Sequence, residues 1–482
     1  MEYKPQHADA AEVRIKPRII IHGGAGNIQR KGYPADKYDE YRNALLTIVR
    51  STDAFIKGAS GGSEKQPGSR SRGPSALDIA AHAVVQLEDC PLFNSGHGAV
   101  FTRDGINQLE ASVMVSRGRA KRGVGVSGLR HVRNPILLAK SMLERGDADL
   151  GGQEAGRPSV VSVKSAADDD DDQELDVPSA QGHTMVWGRA AEQLARAYGL
   201  EMVEPGYYFT QQRWDEHIRA LEREKQQRST SGTATATWSP DEYLPQGTCG
   251  AVALDDRGVI CAATSTGGMT NKLTGRIGDT PVPGAGFWAE EWEDESATGS
   301  RSMWDRAADA LARSPAGITF AGPLKGLLAD CLPTPFLYTP VSRSPNTSST
   351  SRASTVTTRA AGLSGTGNGD SFLRTAAAHT VACLARLRPV PAREAVAAVA
   401  GPGGELQRSA GGRWGRAGEG EGGVIGVECV VDRDTATGRV VGARGEVLMA
   451  YNCGGMYRAW IDDGGEAVMS VWTNGGPDED RP

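Results

Sequence analysis

A mixed α and β core interrupted by long polar insertions is the fold class this sequence predicts, on three observations. A short apolar run, Ile19 to Ile21, feeds His22-Gly23-Gly24-Ala25-Gly26, as a strand entering a glycine loop does. Segments with apolar residues at helical spacing follow, at Tyr38 to Ile56 and at Ile79 to Leu87. Further on, Thr248 to Leu254 and Val259 to Thr264 are β-rich and flank the turn Asp255 to Gly258, a hairpin signal. No internal repeat divides the 482 residues, so they read as one interrupted core and not as a string of modules.

The remaining elements follow in order. Ser75 is placed to cap the helix through Leu87, with Asp78 in its first turn. Asn134-Pro135 opens another helix, and Ala190 to Tyr198 a further one. Residues 58–74 and 165–182 are polar or glycine-rich insertions, the second containing five consecutive aspartates at 168–172. Residues 222–245 lack a hydrophobic period and read as an exposed linker. Residues 288–360 and 401–423 read as irregular insertions, acidic then Ser/Thr-rich in the first case and glycine-rich in the second. Between them Ser371 to Leu387 reads as a helix, followed by strands at Val424 to Val431, Val447 to Asn452 and Ala467 to Trp472.

Composition narrows the function. With 53 Lys+Arg against 59 Asp+Glu the net charge is −6, which gives no overall electrostatic footprint for nucleic acid or an anionic membrane. No apolar run of about 18 residues is present to span a bilayer. Seven cysteines at wide spacings, without Cys-x-x-Cys, suggest neither a disulfide framework nor a zinc site. The first 17 residues are polar and do not read as a signal peptide, so a reducing cytoplasm is expected.

Four segments carry the chemistry: Gly247-Thr248-Cys249-Gly250, Thr264-Ser265-Thr266-Gly267-Gly268, Gly275-Arg276-Ile277-Gly278-Asp279-Thr280 and Ser364-Gly365-Thr366-Gly367-Asn368-Gly369-Asp370. A Thr hydroxyl attacks poorly until a base removes its proton. A free α-amino group, with an ordinary pKa of about 8, is such a base, so a threonine at a chain terminus carries nucleophile and base together. A glycine before it tolerates the backbone strain that cleavage needs. Arg276 and Asp279 pair a cation with an anion, which suits the carboxylate and ammonium of an amino-acid head group. Thr366 beside Gly367 offers a hydroxyl and a backbone N–H to an oxyanion. Each segment alone also has an ordinary reading: strand threonines, a surface ion pair, a glycine turn.

Together they resemble the plant-type L-asparaginase and isoaspartyl peptidase family of threonine N-terminal-nucleophile hydrolases. Further matches are Ile20 to Gly26, Leu87 to Gly98 and Asn452 to Arg458, so the likeness runs from about Ile19 to Trp472. The resemblance implies an α+β fold, a four-layer αββα sandwich. It implies self-cleavage between Gly247 and Thr248 into an α chain of residues 1–247 and a β chain of residues 248–482, held together in a homodimer of cleaved protomers. It assigns catalysis to Thr248, Thr266, Thr366 and Gly367. Substrate binding falls to Arg276, Asp279, Gly369 and Asn94, and the substrates are L-asparagine and isoaspartyl dipeptides. No cofactor is required. A structural sodium ion is implied on the stretch containing Leu87, Glu88, Cys90, Phe93, Ser95 and His97.

Departures from the family pattern bear on specificity: Cys249 follows the nucleophile, Asn368 stands where a His is usual, and Met114-Val115-Ser116 replaces Met-Asp-Gly. The competing readings are a glycosylasparaginase-like or threonine-aspartase-like hydrolase and an uncleaved, non-catalytic binding protein. Gly123-Val124-Gly125-Val126-Ser127-Gly128 fits a dinucleotide pattern but lacks its strand and helix context. Gly58-Ala59-Ser60-Gly61-Gly62 spells a nucleophile elbow after a helix, the wrong context for one.

Overall fold

The computed structural model describes residues 13–59, 73–119, 122–151, 177–231, 247–294, 355–388, 390–415 and 418–472. Strands are numbered in chain order: β1 (Arg18–Gly26), β2 (Leu109–Val115), β3 (Gly123–Leu129), β4 (Met185–Trp187), β5 (Cys249–Leu254), β6 (Ile260–Thr266), β7 (Phe287–Glu293), β8 (Thr355–Gly367), β9 (Gly422–Asp434), β10 (Val440–Tyr451), β11 (Gly455–Ile461) and β12 (Ala467–Ser470). They form an eight-stranded sheet in the order β12-β11-β1-β5-β6-β2-β3-β4 and a four-stranded sheet in the order β10-β9-β8-β7. All recorded pairings are antiparallel except β3 with β4.

Three buried apolar clusters hold the layers. Ile20, Val252, Leu254, Ile260 and Ala262 of the large sheet meet Phe287, Ala289, Ile425 and Val427 of the small one. On its other face the large sheet packs Ile19, Ile21, Cys249, Ala251 and Ala263 against helices α1 (Ala35–Ala59), α2 (Ala76–Glu88) and α3 (Pro135–Asp149), with α4 (Gly188–Ala197) at the β3 edge. The alternation along β5 puts Cys249 and Ala251 on the helix side and Val252 and Leu254 on the inter-sheet side, as a period of two requires.

Several elements agree with the sequence. Ser75 caps α2, its Oγ accepting from Asp78 N at 3.1 Å. The β5–β6 hairpin turns through Asp255 to Gly258, where Gly258 has φ +82°. Other stretches differ. Helix α5 (Gln211–Ser231) extends ten residues, 222–231, into the region read as linker. Its first turns are anchored by buried Arg213, Glu216, His217 and Ala220, and the following Glu-Arg-Glu-Lys-Gln-Gln-Arg run has high helix propensity. The acidic stretch after Phe287 begins as strand β7, its charges paired across both faces: buried Glu290 with Arg386 at 2.8 Å and Glu291 with Arg117 at 2.7 Å. Its partner β8 begins at Thr355, inside the region read as an irregular insertion. The helix expected at Ser371 to Leu387 is two, α6 (Gly369–Thr375) and α7 (Ala377–Leu387), broken at Ala376 with φ +45°. Within the glycine-rich stretch after α8 (Ala392–Ala400) lies a short helix, α9 (Glu405–Ala410). The Gly123–Gly128 run is strand β3 itself, so its glycines do not form a phosphate loop. Residues 60–72, 152–176, 232–246 and 295–354, with most of the expected insertions, lie outside the described residues. Gly58 and Ala59 close α1, while Ser60 to Gly62 fall in the first of these gaps.

Candidate active site

The ends of β1, β5, β6 and β8 bring the four chemical segments together. Pairing of Cys249 with Ser265 sets Thr248 and Thr266 beside one another at the open end of the hairpin. Pairing of His22 with Gly250 brings the β1 glycine loop alongside. Thr248 is 6% exposed and immediately follows Gly247. A methyl placed on Gly247 would overlap the Ala25 nitrogen, the Gly24 Cα and the Thr366 hydroxyl oxygen. Only glycine therefore fits at residue 247. It brings the Gly247 backbone up against Thr366.

Thr366 is fully buried, and its Oγ1 has no hydrogen-bond partner among the described residues. A buried hydroxyl without a partner is costly, and a donor held ready for an incoming oxygen is one reason to tolerate it. Gly367, next to it, has φ +140°, and a Cβ there would lie 2.5 Å from the Glu421 carbonyl oxygen. Thr266 accepts a hydrogen bond on Oγ1 from Gly268 N at 2.9 Å.

Arg276, Asp279 and Gly369 meet on the other side. A Cβ on Gly369 would lie 2.5 Å from Asp279 Oδ1 and 3.0 Å from Arg276 Nη2. Arg276 Nη2 donates to Asp370 Oδ1 at 3.2 Å. Asp279 is buried and its Oδ2 has no partner among the described residues. Burial pushes its pKa up to about 7, against the pull of Arg276. Asn94 is buried: its Nδ2 donates to the Gly268 carbonyl at 2.7 Å and its Oδ1 accepts from Val100 N at 3.0 Å. Its amide ties the Leu87–Gly98 loop to the Thr266 turn.

Sequence reasoning missed four participants. His22 donates from Nδ1 to the Thr248 carbonyl oxygen at 2.9 Å, since that oxygen can only accept. Its Nε2 then accepts from Ser364 Oγ at 2.8 Å, and Ser364 accepts from Thr264 Oγ1 at 3.1 Å. Burial lowers the His22 pKa to about 3, so the ring stays neutral and the tautomer is fixed. Thr280 lies 3.4 Å from Thr248, hydroxyl to hydroxyl. Glu110 accepts from Gly278 N at 3.0 Å, fixing the turn after Arg276. Lys272 donates to the Gln108 carbonyl at 2.7 Å, and burial brings its pKa down to about 8. His22 and Thr280 were visible as members of motifs, but their contacts cross between strands and could not be read from spacing.

Cys249 points to the helix side of β5. It is buried, its Sγ donates to the Ser265 carbonyl at 3.4 Å, and burial holds the thiol protonated. It is no rival nucleophile. In the Leu87–Gly98 loop, His97 N donates to the Glu88 carbonyl at 2.7 Å. A Cβ on Gly98 would lie 2.5 Å from the Pro91 and 2.8 Å from the Phe93 carbonyl oxygen. Glu88 is buried with Oε2 unpartnered among the described residues. The oxygens these contacts bring together are backbone carbonyls, the donor type that a hard cation takes.

Comparison with known proteins decides the family. The family model described as Asparaginase matches residues 15–157 and 176–305, more than half of the chain. The chain belongs to the asparaginase family. It is 36% identical over 293 residues to the isoaspartyl peptidase of Escherichia coli (strain K12), covering 61% of this chain and 74% of that protein. It is 31% identical over 281 residues to the plant-type L-asparaginase of Pyrococcus furiosus, covering 58% and 73%. It is 29% identical over 307 residues to the probable isoaspartyl peptidase/L-asparaginase 2 of Arabidopsis thaliana, covering 60% and 77%. Mixed α and β structure and a hydrolase site fit this asparaginase family.

Proposed function

We propose that this chain is a self-activating amidohydrolase that releases ammonia from L-asparagine and cleaves isoaspartyl dipeptides through a threonyl ester. The observation that carries the proposal is the placement of Gly247 against the Thr366 hydroxyl, with Thr248 next in the chain and the Arg276–Asp279 pair across the site. Family membership and relatives named isoaspartyl peptidase and plant-type L-asparaginase support the same reading.

Cleavage at Gly247–Thr248 would free the Thr248 amine. That amine takes the proton from Thr248 Oγ, and the oxygen attacks the side-chain carbonyl of the substrate. Thr366 O–H and Gly367 N–H receive the oxyanion. The substrate carboxylate displaces Asp370 on Arg276, and its ammonium donates to Asp279 Oδ2 and Gly369 O. The amine leaves with the transferred proton, and water hydrolyses the ester to release aspartate.

The two sheets with helices outside them support the four-layer αββα arrangement of such hydrolases. A sodium ion on carbonyls of Leu87, Glu88, Cys90, Phe93, Ser95 and His97 would stiffen the loop that Asn94 anchors, and no step passes through it. No described helix is long and apolar enough to cross a membrane, and the described cysteines are free; action in the cytoplasm is part of the proposal. We extend the proposal to a homodimer of cleaved protomers. The test is direct: purified protein should release aspartate from asparagine and from a β-aspartyl dipeptide. Thr248→Ala should do neither, and residual hydrolysis above background in that variant would refute the assignment.

A further inference from the structure

We propose that Thr280 is a further catalytic residue, whose hydroxyl donates a hydrogen bond to Thr248 Oγ1 and stabilises that oxygen when it attacks and when it is expelled. The inference rests on the proposed hydrolase function and adds a group to it. Thr280 Oγ1 lies 3.4 Å from Thr248 Oγ1, a long hydrogen bond of the kind that shortens once substrate is bound. Thr280 is fully buried, so without this bond its hydroxyl would sit where water cannot reach it.

The residue is held from several sides. Its carbonyl accepts from Ser112 Oγ of β2 at 2.6 Å. The turn it belongs to is closed by Val282 N and Gly286 N, donating to the Asp279 carbonyl at 3.0 Å and 3.1 Å. The next residue, Pro281, lies against β3, where a Cβ on Gly125 would meet its carbonyl carbon at 2.8 Å. The Thr280 backbone is therefore held in place beside Thr248. It also follows Asp279 directly, so the turn that receives the substrate ammonium presents the hydroxyl to Thr248. Thr266 accepts from Gly268 N on its Oγ1 and keeps its own proton to donate.

The chemistry needs a donor here twice. In acylation the Thr248 Oγ–C bond forms and the substrate C–N bond breaks. The Thr248 hydroxyl proton passes through the α-amine to the leaving nitrogen. In deacylation a water oxygen bonds to the ester carbon, the Thr248 Oγ–C bond breaks, and a water proton returns to Oγ. In both steps charge builds on Thr248 Oγ1, most of all when it leaves. Thr280 keeps its own proton throughout and supplies only the hydrogen bond.

Thr280→Val keeps the shape and removes the donor, and Thr280→Ser keeps the donor on a smaller side chain. Steady-state kinetics on a β-aspartyl dipeptide should show kcat about 10- to 100-fold lower for Thr280→Val, with KM unchanged or lower. Thr280→Ser should restore most of it. Intact mass during turnover should show the Thr280→Val β chain carrying one aspartyl group, the sign of slowed deacylation. Self-cleavage, which uses the same oxygen, should slow in Thr280→Val as well. Thr280→Val within about twofold of wild type in both reactions overturns the inference, and so does Thr280→Ser as slow as Thr280→Val. A wild-type protein that hydrolyses no β-aspartyl bond would instead overturn the function on which the inference rests.

Discussion

The neutral imidazole of His22 reaches from β1 to the carbonyl oxygen of Thr248 and holds it at 2.9 Å. Behind it Ser364 and Thr264 complete a buried chain of hydrogen bonds between the two sheets. Thr248 is thus held at its backbone carbonyl, while its hydroxyl lies 3.4 Å from that of Thr280.

This chain makes stability fall in acid. In the folded state His22 titrates at about 3, against 6.5 in an unfolded chain. Its contribution is fully present above pH 6.5 and is lost as pH falls from there toward 3, because only the unfolded state takes up the proton. His22→Phe should remove part of this slope. It should also lower stability by about 2–4 kcal/mol, since Ser364 and the Thr248 carbonyl lose a partner. Thermal unfolding of both proteins between pH 4 and 8 measures it.

Gly247 has no room for a side chain. Gly247→Ala must push Gly24 and Ala25 away from Thr366, and its precursor should cut itself at least ~10-fold more slowly than wild type, a backbone displacement worth about 1–3 kcal/mol. A time course on denaturing gels after synthesis checks this, and equal rates would show that the fit at residue 247 is unimportant.

Asp279 sets the acid side of the substrate-binding profile. Its pKa of about 7 means that the carboxylate needed for an ammonium is lost as pH falls through 7 in the free enzyme. The bound ammonium pulls that pKa down. So kcat/KM should drop below about pH 7 while kcat holds to lower pH. Asp279→Asn should abolish the difference between the two profiles along with most of the binding.

Arg276 is expected to bind and not to cut. Arg276→Ala should raise KM by about 100-fold or more through loss of a charge-assisted pair, while self-cleavage proceeds. Gels and kinetics on one preparation separate the two effects.

Much of this was legible in the chain. The hairpin that presents Thr248, the Ser75 cap and the order of the glycine-flanked motifs are local features, and local propensity fixes them. What escaped depended on contacts between distant segments. The acidic run of β7 reads as loop until Arg117 and Arg386 are seen to pair with it. Helix α5 is polar over its second half and is set by the burial of Arg213 and Glu216 in its first. At the site, Thr248, Arg276 and Asp279 could be singled out as candidates from residue type and order alone. The contacts of Thr280 and His22 with Thr248 exist only once β1, β5 and the turn after Arg276 are assembled.

The central claim is that one threonine supplies both the attacking oxygen and the amine that deprotonates it. Intact-mass measurement with N-terminal sequencing of hydrolytically active protein tests it most directly. The account predicts two fragments, the second beginning at Thr248. Active protein in which every molecule still carries the Gly247–Thr248 bond would contradict it.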